Sequence, residues 1–320
     1  MVDQPLVSVI ALSYNHAQFL EEALQSVAQQ SYSAIELILV DDASTDASVT
    51  VAQSFLQENP VAFPVKTCFL PKNQGNCVAF NRGLALATGK YVIDFATDDI
   101  MLPQRIAQQV AYFESLPSGY GVVFSEAEYV DETGKHLGFH YRDRLKHIRP
   151  IPEGNVYVDV LAYYFISPPT MMIKKEVLDE LSGYDEQLAY EDFDFWVRSA
   201  RKWKYAYLNE CTTQVRKHAH SLSVKQYRRN DPQLYSTYLV CQKASKLNRT
   251  DEEQQALAIR LKYELRQALV SGNLREATLM MQMLRQLRTA TGIYSGLLLL
   301  AKFGVPLYWG KRVYQYFQLP

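Results

Sequence analysis

No glycine-rich phosphate loop is present in these 320 residues. No G-x-G-x-x-G follows the first apolar run and no G-x-x-x-x-G-K-[S/T] occurs anywhere, which argues against dinucleotide-dependent redox chemistry and P-loop phosphoryl transfer. Cysteine is scarce. Cys68, Cys77, Cys211 and Cys241 are far apart and form no C-x-x-C pair, so neither a disulfide framework nor a zinc site is expected. Long apolar runs are missing too. The nearest candidate, GIYSGLLLLAKFGVPLYWGKRVYQYF, is cut by Lys302, Gly304 and Pro306 and is too interrupted to span a bilayer. The opening MVDQPLVSVIAL passes straight into a strand-like run without a basic, apolar leader, so a cytoplasmic protein is expected. There is no internal repeat and no low-complexity segment.

What is present is a globular composition, 48% hydrophobic, with a net charge of −1 that conceals an asymmetry. From Cys241 onward there are 12 Lys+Arg against 5 Asp+Glu, or +7; the first 240 residues have 21 against 29, or −8. The C-terminal part is a different kind of segment.

The first hundred residues alternate strand and helix. LVSVIAL (Leu6 to Leu12) and IELILVD (Ile35 to Asp41) are short, β-branched, nearly continuous apolar runs, as parallel strands covered on both faces require. VKTCFL (Val65 to Leu70) and KYVIDF (Lys90 to Phe95) continue the series. Leu20, Leu24, Val27 and Ala28 recur at helical spacing between the first two strands; a second helix, capped by Ser44 or Thr45, and a third over Val78 to Ala87 follow. This βαβαβαβ pattern predicts an open doubly wound sheet, whose ligands bind outside the carboxyl ends of the strands. Attention therefore falls on Ser13-Tyr14-Asn15, Asp41-Asp42 and Thr97-Asp98-Asp99. Further along, GVVFSEAEYVDETG suggests a strand pair, and helical stretches are expected at Lys175 to Leu181, Glu191 to Arg201 and Asp251 to Thr289. The last is broken at Ser271-Gly272-Asn273 into a helical hairpin.

Adjacent aspartates at the end of a buried strand repel each other unless something cationic is near. Asp98 and Asp99 suit Mg²⁺ or Mn²⁺, which take oxygen ligands and are shared with substrate phosphates; a turn before Pro103 is the plainer alternative. Tyr14 offers a ring to a nucleobase and Asp41-Asp42 a carboxylate to a base N–H. A second acidic cluster, Glu191-Asp192, opens an apolar helix, where it can also act as an N-terminal cap.

These segments resemble family 2 glycosyltransferases. VSVIALSYNHAQFLEEALQSVAQQSYSAIELILVDDASTDAS is similar to the family's opening, NRGLALATGKYVIDFATDDIMLPQRI to its metal segment and GYDEQLAYEDFDFWVRSA to its acceptor side, in family order over Leu6 to Ser223. The resemblance implies the GT-A fold, a Rossmann-like doubly wound mixed sheet with a C-terminal helical extension, and inverting sugar transfer from a nucleotide donor, with UDP favoured. It implies nucleotide contacts at Ser13, Tyr14, Asn15, Asp41, Asp42, Asn81 and Asp98. Asp99 is the expected metal ligand, with Asp98 and His218 beside it, and Asp192 with Glu191 supplies the general base. Many relatives have Asp where this chain has Ala96. A sugar-nucleotide nucleotidyltransferase and a non-catalytic nucleotide-sugar-binding protein are the alternatives.

The expected organisation is a catalytic domain over 1–230, with a nucleotide half at 1–105 and an acceptor half at 106–230, followed by a basic helical extension over 231–320. Leu297 to Leu300, Tyr308 and Trp309, flanked by Lys302, Lys311 and Arg312, have the composition of an interfacial anchor for an anionic inner leaflet; packing on the protein or on a second subunit accounts for them equally. Nucleic acid is not an expected partner, since no reading motif accompanies the charge. The acceptor is expected to be a glycan or a lipid-linked molecule in surface polysaccharide synthesis.

Overall fold

A computed structural model describes residues 4–219, 221, 226–289 and 291–303. Tyr308, Trp309, Lys311 and Arg312, together with Leu222 and Ser223, lie outside the described residues. The chain divides into two compact units.

The first unit (the described residues to 156, with 165–187 and 194–218) holds one nine-stranded mixed sheet. Strands β1 (Val7–Ser13), β2 (Ile35–Asp41), β3 (Val65–Phe69) and β4 (Tyr91–Ala96) pair in parallel in the order 3-2-1-4. Each lies within a residue or so of the strand expected from its apolar run. Helices α1 (Leu20–Ala28), α2 (Ser48–Glu58), α3 (Asn76–Leu84) and α4 (Arg105–Ser115) connect or follow them. Side-chain alternation assigns the faces. Val7, Val9 and Ala11 of β1 are in register with Ile35, Leu37 and Leu39 of β2 and with Tyr91, Ile93 and Phe95 of β4. All pack with Leu20, Leu24 and Val27 of α1, Phe55 of α2 and Ile106, Val110 and Phe113 of α4. Helix α3 covers the opposite face, so closely that a Cβ on its Gly83 would meet Ile10 Cγ2 at 2.4 Å.

Beyond β4 the sheet becomes mixed. Strands β5 (Ile100–Met101), β6 (Tyr120–Val130), β7 (His136–Phe139), β8 (Met172–Lys174) and β9 (Lys204–Arg216) complete the order β3-β2-β1-β4-β8-β6-β9-β5, with β7 on β6. The β6–β7 hairpin is the strand pair foreseen in GVVFSEAEYVDETG. Helix α2 differs in detail from expectation. Its N-cap residue is Ala47, whose methyl group cannot cap; the Ser48 N–H is taken by Asp46 Oδ1 at 2.9 Å, while the hydroxyls of Ser44 and Thr45 are engaged with Asp41 and Asn15.

The second unit (157–164, 188–193 and the described residues from 219 on) is helical. It contains α5 (Tyr157–Ala162), the start of α7 (Asp192–Ser199), α8 (Pro232–Leu247), α9 (Asp251–Ser271), α10 (Leu274–Gln286) and α11 (Gly292–Lys302); α6 (Lys175–Glu180) belongs to the sheet unit. The division therefore does not follow position 230, because segments 157–164 and 188–193 pack into the helical unit. The reason is buried chemistry on α9. The Arg260 guanidinium stacks on the Tyr164 ring at 3.6 Å, lies 5.2 Å from the Phe193 ring and bonds Glu264 at 3.3 Å. No described helix is long and apolar enough to cross a membrane, and the four cysteines are free.

Candidate active site

Parallel register brings the ends of three strands side by side. Ser13 stands opposite Asp41 and Leu12 opposite Ala96. The ladder runs one residue further on each side, with the Asp42 N–H donating to Ser13 O at 2.9 Å and the Thr97 N–H to Leu12 O at 3.0 Å. The residues singled out from the sequence as Ser13 to Asn15, Asp41, Asp42, Asp98 and Asp99 thus emerge at one edge of one sheet.

Their tasks differ. Tyr14 is 44% exposed, its ring open to a stacking partner. Asn15 adopts φ 57°, a left-handed conformation that asparagine tolerates better than most side chains. Its Oδ1 accepts from Thr45 N at 2.8 Å, so it ties the loop after β1 to the loop after β2. Asp41 spends both carboxylate oxygens on Ser44, accepting from its N–H at 2.8 Å and its hydroxyl at 2.6 Å. Asp42 accepts from the N–H groups of Gln74 at 2.7 Å and Gly75 at 2.8 Å, which positions the start of α3. Ser13 Oγ is buried and has no hydrogen-bond partner among the described residues. A buried hydroxyl in that state calls for an explanation.

The aspartate pair is organised by β9, which pairs with β5 immediately beyond it, Gln214 opposite Ile100. This delivers Arg216 and His218 to the end of β4. The His218 Nε2 lies 2.9 Å from Asp98 Oδ2, and the His16 Nδ1 lies 3.9 Å from Asp98 Oδ1 and 3.0 Å from Thr97 Oγ1. Asp99 faces the other way. It is 3% exposed and its Oδ1 accepts the Arg216 backbone N–H at 2.9 Å. Arg216 is a clamp more than a free cation: its guanidinium donates to Asp98 O at 3.0 Å, Glu132 O at 3.2 Å and Glu22 Oε2 at 2.6 Å.

The charges split accordingly. Burial opposes ionisation of Asp98, but hydrogen bonding from His218 and the charges of His16 and His218 outweigh it and hold its carboxyl below the ordinary range. Asp99 is pushed well above that range, by burial first and by the Asp98 charge second. Burial keeps the His16 imidazole below its usual value, against the pull of Asp98. Behind them the fully buried Arg105 guanidinium is lowered to about 9 by burial, with the Asp99 charge opposing. The charges of Lys217 and Arg105 pull the Asp99 carboxyl down, but burial and Asp98 outweigh them.

Asn81 is placed elsewhere. Its amide exchanges hydrogen bonds with Tyr184, donating to the carbonyl at 2.9 Å and accepting from the N–H at 2.9 Å, and donates to Glu186 at 3.0 Å. It clips α3 to residues 184–186, apart from the strand-end residues grouped above. Glu191 and Asp192 are half-buried and belong to the helical unit, gripped on both sides. The Ala189 N–H donates to Ser236 Oγ at 2.8 Å, Tyr190 Oη bonds Thr237 Oγ1 at 2.7 Å, and the Phe193 ring meets that of Tyr164 at 5.4 Å. Trp196 is buried and Arg198 pairs with Asp194 at 2.6 Å, so both are packing residues. His16 and Arg105 were not anticipated. His16 alone had a legible signal, its place next to Asn15 in the loop after β1.

No group of three or more His, Cys, Asp or Glu side chains among the described residues is arranged to enclose a metal alone. The Asp98–His218 pair still has suitable donors. A hard divalent cation is commonly held by one or two protein ligands and completed by substrate phosphates.

A sheet of this topology with an aspartate pair past its fourth strand and a returning histidine defines a GT-A glycosyltransferase fold. The profile of Glycosyl transferase family 2 matches residues 8–182, more than half of the chain, and the protein belongs to that family. It is 28% identical over 226 residues, 70% of this chain and 84% of the relative, to the Bacillus subtilis glycosyltransferase TuaG, provisionally named for teichuronic acid biosynthesis. Among other relatives it spans from 28% to 72% of their length. The fold is similar to that of Staphylococcus aureus TarS in complex with UDP-GlcNAc, at TM-score 0.64 and 18% identity over 94% of this chain and 88% of that one. It is also similar to the Pyrobaculum calidifontis mannosyltransferase PcManGT in complex with GDP-Man and Mn²⁺, at TM-score 0.59 and 18% identity over 95% and 88%.

Proposed function

We propose that this glycosyltransferase moves a sugar from a nucleoside-diphosphate donor, UDP before GDP, to an acceptor hydroxyl with inversion. The observation that carries the proposal is the Asp98–His218 contact at the carboxyl edge of the parallel strands. Mg²⁺ or Mn²⁺, held there with donor phosphates, would supply charge neutralisation for the departing diphosphate. Asp98 and His218 are the ligand pair in this reading. Asp99, committed to the Arg216 amide, holds the end of β9 in place, a reassignment of the role expected for it. Tyr14 stacks on the base, Asp42 with Asp41 shapes the pocket beside it, and the Ser13 hydroxyl finds its partner in the donor.

Asp192 is the proposed general base, taking the acceptor hydroxyl's proton, with Glu191 beside it. Single displacement needs that carboxylate on the face opposite the leaving group. A role at the cytoplasmic membrane surface in polysaccharide synthesis is supported by the name of TuaG and by exposed Ile293, Leu299, Leu300 and Phe303 on or beside α11. The test is a thermal-shift panel of UDP, GDP and dTDP with and without Mn²⁺. One nucleotide should stabilise the wild type in a Mn²⁺-dependent way, and Asp98→Asn should abolish the shift. Equal shifts in both proteins would exclude Asp98 from the donor site.

A further inference from the structure

Between Lys135 and Arg149 the chain carries five Lys+Arg and a single acid, Asp143, together with three histidines. The first 240 residues as a whole carry −8. A local excess of cations in an acidic chain is costly in mutual repulsion unless a ligand of opposite charge uses it.

This segment is built and held in place. After β7 the chain makes a π-helical turn, His140–Arg144, tied down from below by Glu126 of β6. That carboxylate is 3% exposed and accepts the N–H groups of Tyr141 at 2.9 Å and Arg142 at 3.1 Å. Asp143, the one acid of the run, is committed to the Phe139 N–H at 2.7 Å. The two arginines of the turn sit over aromatic rings, Arg142 over Phe139 at 3.5 Å and Arg144 over Tyr129 at 3.7 Å, and Arg142 also pairs with Glu126 at 3.5 Å. A guanidinium stacked this way is fixed in orientation while its N–H edges stay available for a planar anion. Arg144, Lys146 and Arg149 are exposed, and no carboxylate lies within ion-pair distance of any of them among the described residues.

The turn also adjoins the aspartate pair. The Tyr129 ring that carries Arg144 carries Lys217 as well, at 4.8 Å, and the next residue, His218, pairs with Asp98. The positive charge of Arg144 therefore lies one ring from Lys217, beside the proposed donor edge.

We propose that Arg144, Lys146 and Arg149 recognise an anionic acceptor, a glycan chain bearing phosphate or carboxylate groups, and hold it next to the donor edge. The inference rests on the transferase reading above and adds the chemical class of the acceptor. The Arg144 guanidinium over Tyr129 is suited to bidentate contact with such groups, and Lys146 and Arg149 beyond it extend the track along a chain.

The test uses the full-length protein and the triple variant Arg144→Gln, Lys146→Gln, Arg149→Gln, all at exposed positions. Fluorescence anisotropy would follow labelled short-chain polyphosphate, oligogalacturonate and neutral dextran, with nucleotide thermal shifts measured in parallel. The wild type should bind at least one polyanion, weaken with added salt and ignore dextran. The variant should bind at least about tenfold more weakly while keeping the wild-type nucleotide shift. Three results overturn the proposal: no polyanion bound by the wild type, equal binding by the variant, or a nucleotide affinity that falls in step, which would give the cations to the donor diphosphate. Binding to phosphatidylglycerol vesicles but to neither polymer also overturns it, in favour of a membrane surface. A missing nucleotide shift in the wild type would instead refute the donor site, leaving the polyanion result to be read on its own.

Discussion

Glu36 sits on β2 at the end remote from the site, where it is nearly buried yet collects hydrogen bonds from the Ser8 hydroxyl at 2.6 Å, the Thr88 N–H at 2.6 Å and the Lys66 ammonium at 2.9 Å. Burial alone would raise its pKa, but those donors prevail and lower it to about 2. The unfolded carboxyl, near 4.3, takes up its proton first as the solution is acidified. Stability from this group is thus complete above the unfolded value and lost as pH falls towards about 2, a contribution on the order of 3 kcal/mol. Urea unfolding at pH 7 and pH 3 should show Glu36→Gln less stable by about 2–3 kcal/mol at pH 7 and by roughly half that at pH 3, about one unit above the folded value. An identical deficit at both values would disprove the linkage. Nucleotide binding should survive, since five residues of strand, roughly 16 Å, separate Glu36 from Asp41. At the site itself, Asp98→Asn should cost at least about 100-fold in kcat/KM. In Asp99→Asn the loss should be mainly of stability, since a buried acceptor of the Arg216 amide is weakened, by about 1–3 kcal/mol. Sequence reading put the acidic residues at the right strand ends. It could not divide their labour, because which aspartate faces His218 depends on a strand that returns from more than a hundred residues away.

The helical hairpin of α9 and α10 was legible because its punctuation is local. Thr250 caps α9, its hydroxyl accepting the Glu253 N–H at 3.2 Å, and Gly272 ends it at φ 76°. Both follow from residue chemistry alone. The same is true of β1, β2 and β4, largely buried and hence nearly continuous apolar runs. Strand β9 was missed for a physical reason. Its register against β6 shifts between Ser125 and Glu126 and again between Glu126 and Ala127. Each bulge resets the in-out alternation, so KYAYLNECTTQVR shows no steady period of two. Strands β5 and β8 have two and three residues, too few to carry a pattern. In the hairpin, Thr250→Ala should destabilise by about 1 kcal/mol. Gly272→Ala should cost a similar ~1 kcal/mol through backbone strain alone, since an added Cβ there meets nothing within 4 Å. Gly183→Ala should be worse than either: φ is +75° and the new Cβ would meet Asn81 Oδ1 at 2.3 Å, forcing apart the clip between α3 and Tyr184. Circular-dichroism melts of the three variants give the ranking, and a Gly183→Ala protein as stable as the other two would contradict that clip.

Charge is distributed unevenly over the whole molecule, −8 before Cys241 and +7 from there on. The described part of the C-terminal segment presents an apolar helix to solvent: Ile293 is 77% exposed, Leu299 57% and Phe303 80%. Basic charge with exposed apolar side chains is what an anionic membrane surface selects, because Coulomb attraction concentrates the protein there and apolar insertion retains it. If the tail serves that end, the full chain should float with phosphatidylglycerol vesicles at low salt and release partly as salt screens the charges, while a chain deleted from Gly292 to Pro320 should remain at the bottom of the gradient. Neutral phosphatidylcholine vesicles should recruit it weakly. Sedimentation equilibrium on the same two proteins covers the rival use of the segment. A full-length dimer that becomes a monomer on truncation, with flotation unchanged, would assign the exposed face to a second copy of the chain and dismiss the anchor.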